Sequence, residues 1–256
     1  MSKLMLHLVA NYPSPKEFLE VLQVFLNLQI PHLEIQLPYY SPLGDGKLIF
    51  EANQKALEFQ SDLVEIVKSI ESIYDPKIHS TNLILMSYFS PIFSFGMERV
   101  VSLISESFRA MIIPDLNCDS PYFAEINKLC QLNSIDIIPV ISQNLSQNKL
   151  DLILKYLNKG QLVYYISRFG KTGQTTDLQN IQPELFKIQN YFKDFQLAVG
   201  FGINNKSQVD FLNQNNLVAV IGTETIRQIN FAKNNNLNLT NHITNYINQL
   251  TQHNYD

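Results

Sequence analysis

Glu34 lies in the middle of His32-Leu-Glu-Ile-Gln-Leu-Pro38, a run that otherwise reads as a buried strand. An ionised carboxylate facing packed neighbours loses its hydration, and that loss favours the protonated form. This is how a carboxylic acid becomes a proton donor near neutral pH. A solvated strand edge, or a lysine partner, is the competing reading. A second carboxylate, Asp45, follows in Pro42-Leu-Gly-Asp-Gly46. That pattern suits a turn aspartate bonding its own backbone, although two carboxyl groups brought to one cleft can also divide acid and base work. His7, inside the first apolar run, reads as a satisfied core histidine. Tyr164, in Val163-Tyr-Tyr-Ile-Ser-Arg168, either fills the core or turns its hydroxyl to a ligand. Arg168 and Lys171 add positive charge beside it, which a solvated loop explains equally well.

The glycines add a second kind of chemistry. Of nine, Gly44, Gly46, Gly170, Gly173, Gly200, Gly202 and Gly222 fall at the carboxyl ends of predicted strands, where glycine lets backbone N–H groups approach a ligand. Gly96 begins a helical region and Gly160 reads as a helix end. Gly173, Gly202 and the pair Gly222-Thr223 follow the last three strands. Backbone donors there would hold a phosphate without a basic patch, and ordinary turn glycines are the alternative.

The elements that must position these groups alternate regularly. Short apolar runs predict strands over Leu4–Ala10, His32–Pro38, Asn82–Tyr88, Arg109–Pro114, Asp136–Ser142, Leu162–Ser167, Gln196–Gly202 and Val218–Thr223. Amphipathic stretches predict helices over Lys16–Leu28, Asn53–Ile73, Met97–Ser107, Pro121–Leu132, Lys149–Leu157, Pro183–Phe192 and Lys206–Asn215. Pro15, Pro121 and Pro183 stand where first helical turns would begin. Eight strand–helix units without a composition break predict one α/β domain over residues 1–256, closed as an eightfold (β/α) TIM barrel. A doubly wound open sheet is the competing arrangement.

Composition excludes several classes. With 45% hydrophobic residues the chain is built to fold. Its 19 basic and 23 acidic side chains leave a net charge of −4, which argues against a nucleic-acid or anionic-membrane binder. Cys118 and Cys130 match no zinc spacing and make no disulfide framework, so no metal site is expected and a reducing cytoplasm is the natural setting. The first residues lack the long apolar region of a signal peptide. A long charge-free stretch, 79–97, contains Pro91 and several polar groups, unlike a membrane span.

Taken together, these segments resemble one family. Leu33-Glu-Ile-Gln-Leu-Pro-Tyr-Tyr-Ser-Pro-Leu-Gly-Asp-Gly46 is similar to the second-strand signature of tryptophan synthase alpha subunits. The likeness continues in order through Leu85-Met-Ser-Tyr-Phe-Ser-Pro91, Ile113-Pro-Asp-Leu116, Tyr164-Tyr-Ile-Ser-Arg-Phe-Gly-Lys-Thr-Gly173, Val199-Gly-Phe-Gly-Ile203 and Val220-Ile-Gly-Thr223. The resemblance implies a lyase that cleaves indole-3-glycerol phosphate to indole and glyceraldehyde 3-phosphate. It implies Glu34 as the acid/base at indole C3, Asp45 at the indole N–H, and Tyr164 beside them. Gly173, Gly202, Gly222 and Thr223 would cradle the phosphate. Ile49, Met86, Tyr88, Phe201 and Thr172 would line the indole pocket. No cofactor is implied for this chain; pyridoxal phosphate would belong to a beta-subunit partner in an α2β2 heterotetramer.

The chain also departs from the family pattern. Ser41 and Lys47 replace an Asp and a Pro around the second loop, Gln36 replaces a Gly, Val9 a Thr and Ser90 an Asn. The family's helix ahead of the first strand is expected to be missing. These changes bear on loop order and partner contact more than on the acid/base pair. A phosphate-binding barrel lyase or isomerase with another substrate, and a non-catalytic activator of a beta subunit, remain as alternative readings of the sequence.

Overall fold

The computed structural model describes residues 3–42, 44–142, 145–166, 178–200 and 202–251, without the side chains of 178–180. Nine strand segments occur among them: β1 (Leu4–Val9), β2 (His32–Gln36), β3 (Asn82–Met86), β4 (Phe108–Ile112), β5 (Asp136–Ile137), β6 (Val140–Ser142), β7 (Leu162–Ile166), β8 (Gln196–Gly200) and β9 (Val218–Ile221). Every pairing is parallel, in the order β5-β4-β3-β2-β1-β9-β8-β7-β6. The two ends of that order are consecutive in the chain, so β5 and β6 are one barrel strand interrupted at Ile138-Pro139. Proline has no N–H to give the ladder. Pairing nevertheless continues on both sides, because Ile138 N–H donates to Met111 O (2.8 Å) and Tyr164 N–H donates to Pro139 O (3.0 Å). The sheet is thereby a closed eightfold barrel.

Alternation along each strand separates two cores. Met5, Ile84, Met86, Ala110, Ile112, Ile138, Ala198, Val218 and Val220 pack inside the barrel, with Leu162 and Tyr164 against them. The other parity, such as Leu6, Leu33, Leu85, Met111, Val163, Val199 and Ala219, packs outward under the helices. Burial on both faces is why the strands read as continuous apolar runs.

The helices are α1 (Pro15–Asn27), α2 (Lys47–Leu57), α3 (Leu63–Glu71), α4 (Phe89–Phe95), α5 (Met97–Ile104), α6 (Pro121–Leu132), α7 (Gln147–Leu154), α8 (Leu178–Tyr191), α9 (Lys206–Gln214), α10 (Thr223–Asn234) and α11 (Leu239–Thr251). Ser14 and Ser120 cap α1 and α6 just ahead of Pro15 and Pro121, as expected. Three expectations are corrected. The single helix over 53–73 is two, because Gln60 turns to φ 55° and Asp62 then starts α3 with a reciprocal Asp62–Glu65 capping box. Pro183 lies inside α8 rather than at its start; the burial of Ile181, Leu185 and Ile188 outweighs one missing ladder bond. Gly160 does not end a helix, since α7 stops at Leu154; it sits at φ 83° in the turn before β7 and donates its N–H to Asp194 O.

The amino end of the barrel holds a polar cavity of about 230 Å³ bordered by His32, Asn82, Arg109, Asp136 and Gln196. Burial pushes His32 down to about 4 and raises Asp136 above the usual carboxylate range. Among the described residues, no helix is long and apolar enough to cross a membrane, and no cluster of His, Cys, Asp and Glu could hold a metal ion.

Candidate active site at the carboxyl end of the barrel

Strand parity aims Glu34 inward. Leu33 and Ile35 pack under the helices, so Glu34 and Gln36 face the barrel interior. The parallel register sets His7 of β1 directly beside Glu34, with Nδ1 and Oε1 3.2 Å apart. Both residues are only 4% exposed. Burial alone would lower His7; the facing Glu34 carboxylate, its hydrogen bond, and the charge of Asp45 reverse this and raise it.

One turn of the register further up, Gln36 Nε2–H donates to Asp45 Oδ2 at 2.8 Å. Asp45 therefore does not fold back on its own backbone as a turn aspartate would; its carboxylate leans over the mouth. Burial pushes Asp45 above the usual carboxylate range, against the pull of the Gln36 hydrogen bond and of His7, and Glu34 adds to the rise. Tyr88 Oη also lies beside Asp45 and accepts the Gly44 N–H at 3.4 Å. The Tyr88 ring stacks on Tyr39 with centroids 5.0 Å apart.

Tyr164 completes the opposite wall. Burial, then the fields of Glu34 and Asp45, raise its phenol well above the ordinary tyrosine value. Its ring occupies the space where Gly200 lacks a side chain: a Cβ there would lie 2.9 Å from Oη and 3.0 Å from Cε2. Gly222 lies between β1 and α2 with more room, since a Cβ at that position would make only ordinary contacts, with His7 Cβ at 3.6 Å and Ile49 Cδ1 at 3.7 Å.

Gly222 also caps α10, which begins immediately with Thr223. The first-turn N–H groups of a helix have no intrahelical acceptors, and the helix dipole favours an anion there. Glu224, in the same turn, is taken up by Arg227 and by Gln228 (2.7 Å). Gly202 adopts φ 86°, a left-handed conformation glycine reaches without strain.

The structure thus brings Glu34, Asp45, Tyr164, Tyr88, Ile49 and Gly222 to one end of the barrel, with Met86 on its inner wall. Thr223 opens the helix beside them. Thr172, Gly173 and Phe201, like Arg168 and Lys171, lie outside the described residues. Two neighbours of the carboxyl groups escaped the sequence reading. His7 is buried as a core histidine would be, but its partner is Glu34 and only one of its nitrogens is paired among the described residues; Gln36 reaches Asp45. Alternation would have found both, because His7 shares a face with Met5, and Gln36 with Glu34. Among the described residues, the buried atoms His7 Nε2, Glu34 Oε2 and Gln36 Oε1 have no hydrogen-bond partner. Three such atoms around one barrel mouth are groups that a polar ligand could bond.

Comparison with known proteins agrees with the barrel fold and gives its family. The family model for the tryptophan synthase alpha chain matches residues 2–254. The tryptophan synthase alpha chain of Gracilaria tenuistipitata var. liui is 30% identical over 227 residues, covering 87% of this chain and 81% of that one. The crystal structure of the alpha chain from Legionella pneumophila subsp. pneumophila superposes with a TM-score of 0.85 at 18% identity, covering 97% and 90% of the two chains. A chain of the tryptophan synthase complex from Pyrococcus furiosus gives 0.79 at 20% identity, covering 98% and 99%.

Proposed function

Because the chain belongs to the tryptophan synthase alpha chain family, we infer that it is a carbon–carbon lyase cleaving indole-3-glycerol phosphate to indole and glyceraldehyde 3-phosphate in tryptophan biosynthesis. The observation that carries the residue assignment is the convergence of two carboxyl groups, Glu34 and Asp45, on one mouth of the barrel beside a helix N-terminus that, among the described residues, no side chain caps.

In this reading the Glu34 carboxyl gives its proton to indole C3 while Asp45 takes the proton of the ring nitrogen. The raised proton affinity of Asp45 suits it to that base role. The resulting indolenine is an electron sink. The Glu34 carboxylate then takes the glyceryl hydroxyl proton, the hydroxyl carbon becomes an aldehyde, and the bond to C3 breaks. Its electron pair restores the ring, and Asp45 returns a proton to the nitrogen. Each acid–base contribution is worth about 10²–10⁴-fold.

Tyr164 flanks the reacting carbon, and Ile49, Met86 and Tyr88 bound the ring, with Thr172 and Phe201 assigned to the same pocket. Gly202, Gly222 and Thr223, together with Gly173, bind the phosphate through main-chain donors. That anchor is remote from the breaking bond and orients it. The chain uses no cofactor of its own. Its partner is a pyridoxal-phosphate beta subunit in an α2β2 assembly in the cytoplasm; the family membership and the likeness to a chain of a tryptophan synthase complex support this.

The test is indole release from indole-3-glycerol phosphate, with and without a beta subunit. Glu34→Gln should abolish it. Undiminished turnover by that variant would overturn the assignment of roles.

A further inference from the structure

The His7–Glu34 contact reaches beyond this reading. His7 approaches the carboxyl group from inside the barrel, is almost wholly buried, and touches only one of the two oxygens, Oε1 at 3.2 Å. Oε2 is left unpartnered among the described residues, as is His7 Nε2. We propose that His7 is a positioning residue for Glu34, donating its Nδ1–H to Oε1 so that Oε2 is the atom presented to substrate.

The assignment rests on the lyase reading, and its chemistry follows from the two steps required of Glu34. A neutral carboxyl accepts the Nδ1–H bond weakly. Once Oε2 has given its proton away, the carboxylate accepts the same bond in charge-assisted form, about twice as strong as a neutral one. His7 therefore favours the state formed in the proton transfer and holds the carboxylate oriented for the second one. Packing fixes the imidazole: its Cβ and Cγ sit against Gly222, with Ile49 alongside. The titratable groups acting on it are Glu34 from β2 and Asp45 from the following turn; Gln36 adds a smaller pull in the same direction, and the sides formed by Gly222 and Ile49 carry no charge. Phenylalanine would fill the same volume with no donor, so space-filling alone does not require a histidine here.

Two measurements separate this role from a structural one. Imidazole ¹⁵N shifts followed against pH should show His7 with its neutral proton on Nδ1, titrating above the ordinary value of about 6.5. In Glu34→Gln the titration should fall below that value, because burial remains and the carboxylate is gone. Identical titrations in the two proteins would overturn the pairing. In the indole-release assay, His7→Phe should lower kcat by about 10- to 100-fold, the scale of a misplaced catalytic group, with KM changed by less than about twofold. His7→Asn, which keeps an N–H donor, should recover most of the loss. Full kcat in His7→Phe, or equal losses in both variants, would overturn the positioning role. Wild-type protein that released no indole would overturn the lyase reading and the role of His7 within it, while the titration would still decide the pairing.

Discussion

Gly200→Ala tests how tightly the far wall of the site is built. The added methyl would stand 2.9 Å from Tyr164 Oη, 3.0 Å from Cε2 and 3.4 Å from Cζ. Comfortable carbon contacts lie near 3.5–4.0 Å, so the ring must retreat by roughly half an ångström to one ångström. Overpacking of this kind costs about 1–3 kcal/mol, and the low end applies here because the nearest atom is the outer end of the ring rather than backbone. For a chain of this size that is a fall in Tm of about 2–4 °C per kcal/mol. Catalysis should suffer more than stability, since a displacement near 1 Å can cost about 10²-fold. Thermal unfolding and steady-state indole release, measured on Gly200→Ala, Tyr164→Phe and the double variant, make a complete cycle. Removing the hydroxyl relieves the 2.9 Å contact and leaves the 3.0 Å one, so Tyr164→Phe should restore part of the lost stability in the alanine background. Strict additivity of the two Tm changes, or a single variant with unchanged Tm and kcat, would refute the packing argument.

Other expectations are briefer. Asp45→Asn should impair indole formation while leaving binding of glycerol phosphate, measured by calorimetry, within a few-fold, because the phosphate is assigned to main-chain donors; loss of both would contradict that division. His32 is half-buried and held neutral, at about 4 against 6.5 unfolded, so the unfolded chain binds the extra proton as pH falls between those values. Stability should therefore decline by up to about 3 kcal/mol from pH 6.5 to 4 on this account, and His32→Gln should flatten that slope in urea titrations. His7 acts in the opposite sense: its raised value contributes stability that is complete below the ordinary histidine value and is lost as pH rises through the folded one. Gly96 joins α4 to α5 at φ 99°, where a Cβ is strained, so Gly96→Ala should lower Tm with kcat unchanged.

The barrel was legible because its signal is repeated: most strands are apolar on both faces, and a helix follows each unit. Local punctuation was less so. Gln60 has no sequence mark of a residue about to turn left-handed, and Asp62 with Glu65 was the only cue that α2 and α3 are separate. Pro183 misled because a proline signals a helix start only when the apolar face does not extend ahead of it, and here Ile181 does. Within the site, Glu34 stood out as a charge in an apolar strand, and the parity of its packed neighbours Leu33 and Ile35 decides between the interior and a solvated edge. Asp45 was ambiguous for a physical reason. Gly-Asp-Gly describes a good turn whichever way the carboxylate swings, and what draws it over the mouth is Gln36, a residue on another element. His7 was misread because its partner comes from the neighbouring strand, and register between strands is not written in either strand alone.

Pro139 gives the barrel a seam. At that point closure rests on one hydrogen bond to each neighbouring strand around a residue that cannot itself donate, Ile138 N–H to Met111 O and the amide of Tyr164 to Pro139 O. A tyrosine on the wall of the site thus hangs from the join in the hoop. Breathing of the staves at the join would be felt first by that ring, so the deuterium-exchange rate of a single backbone amide, Tyr164, reads out both the integrity of the cylinder and the poise of the side chain it carries.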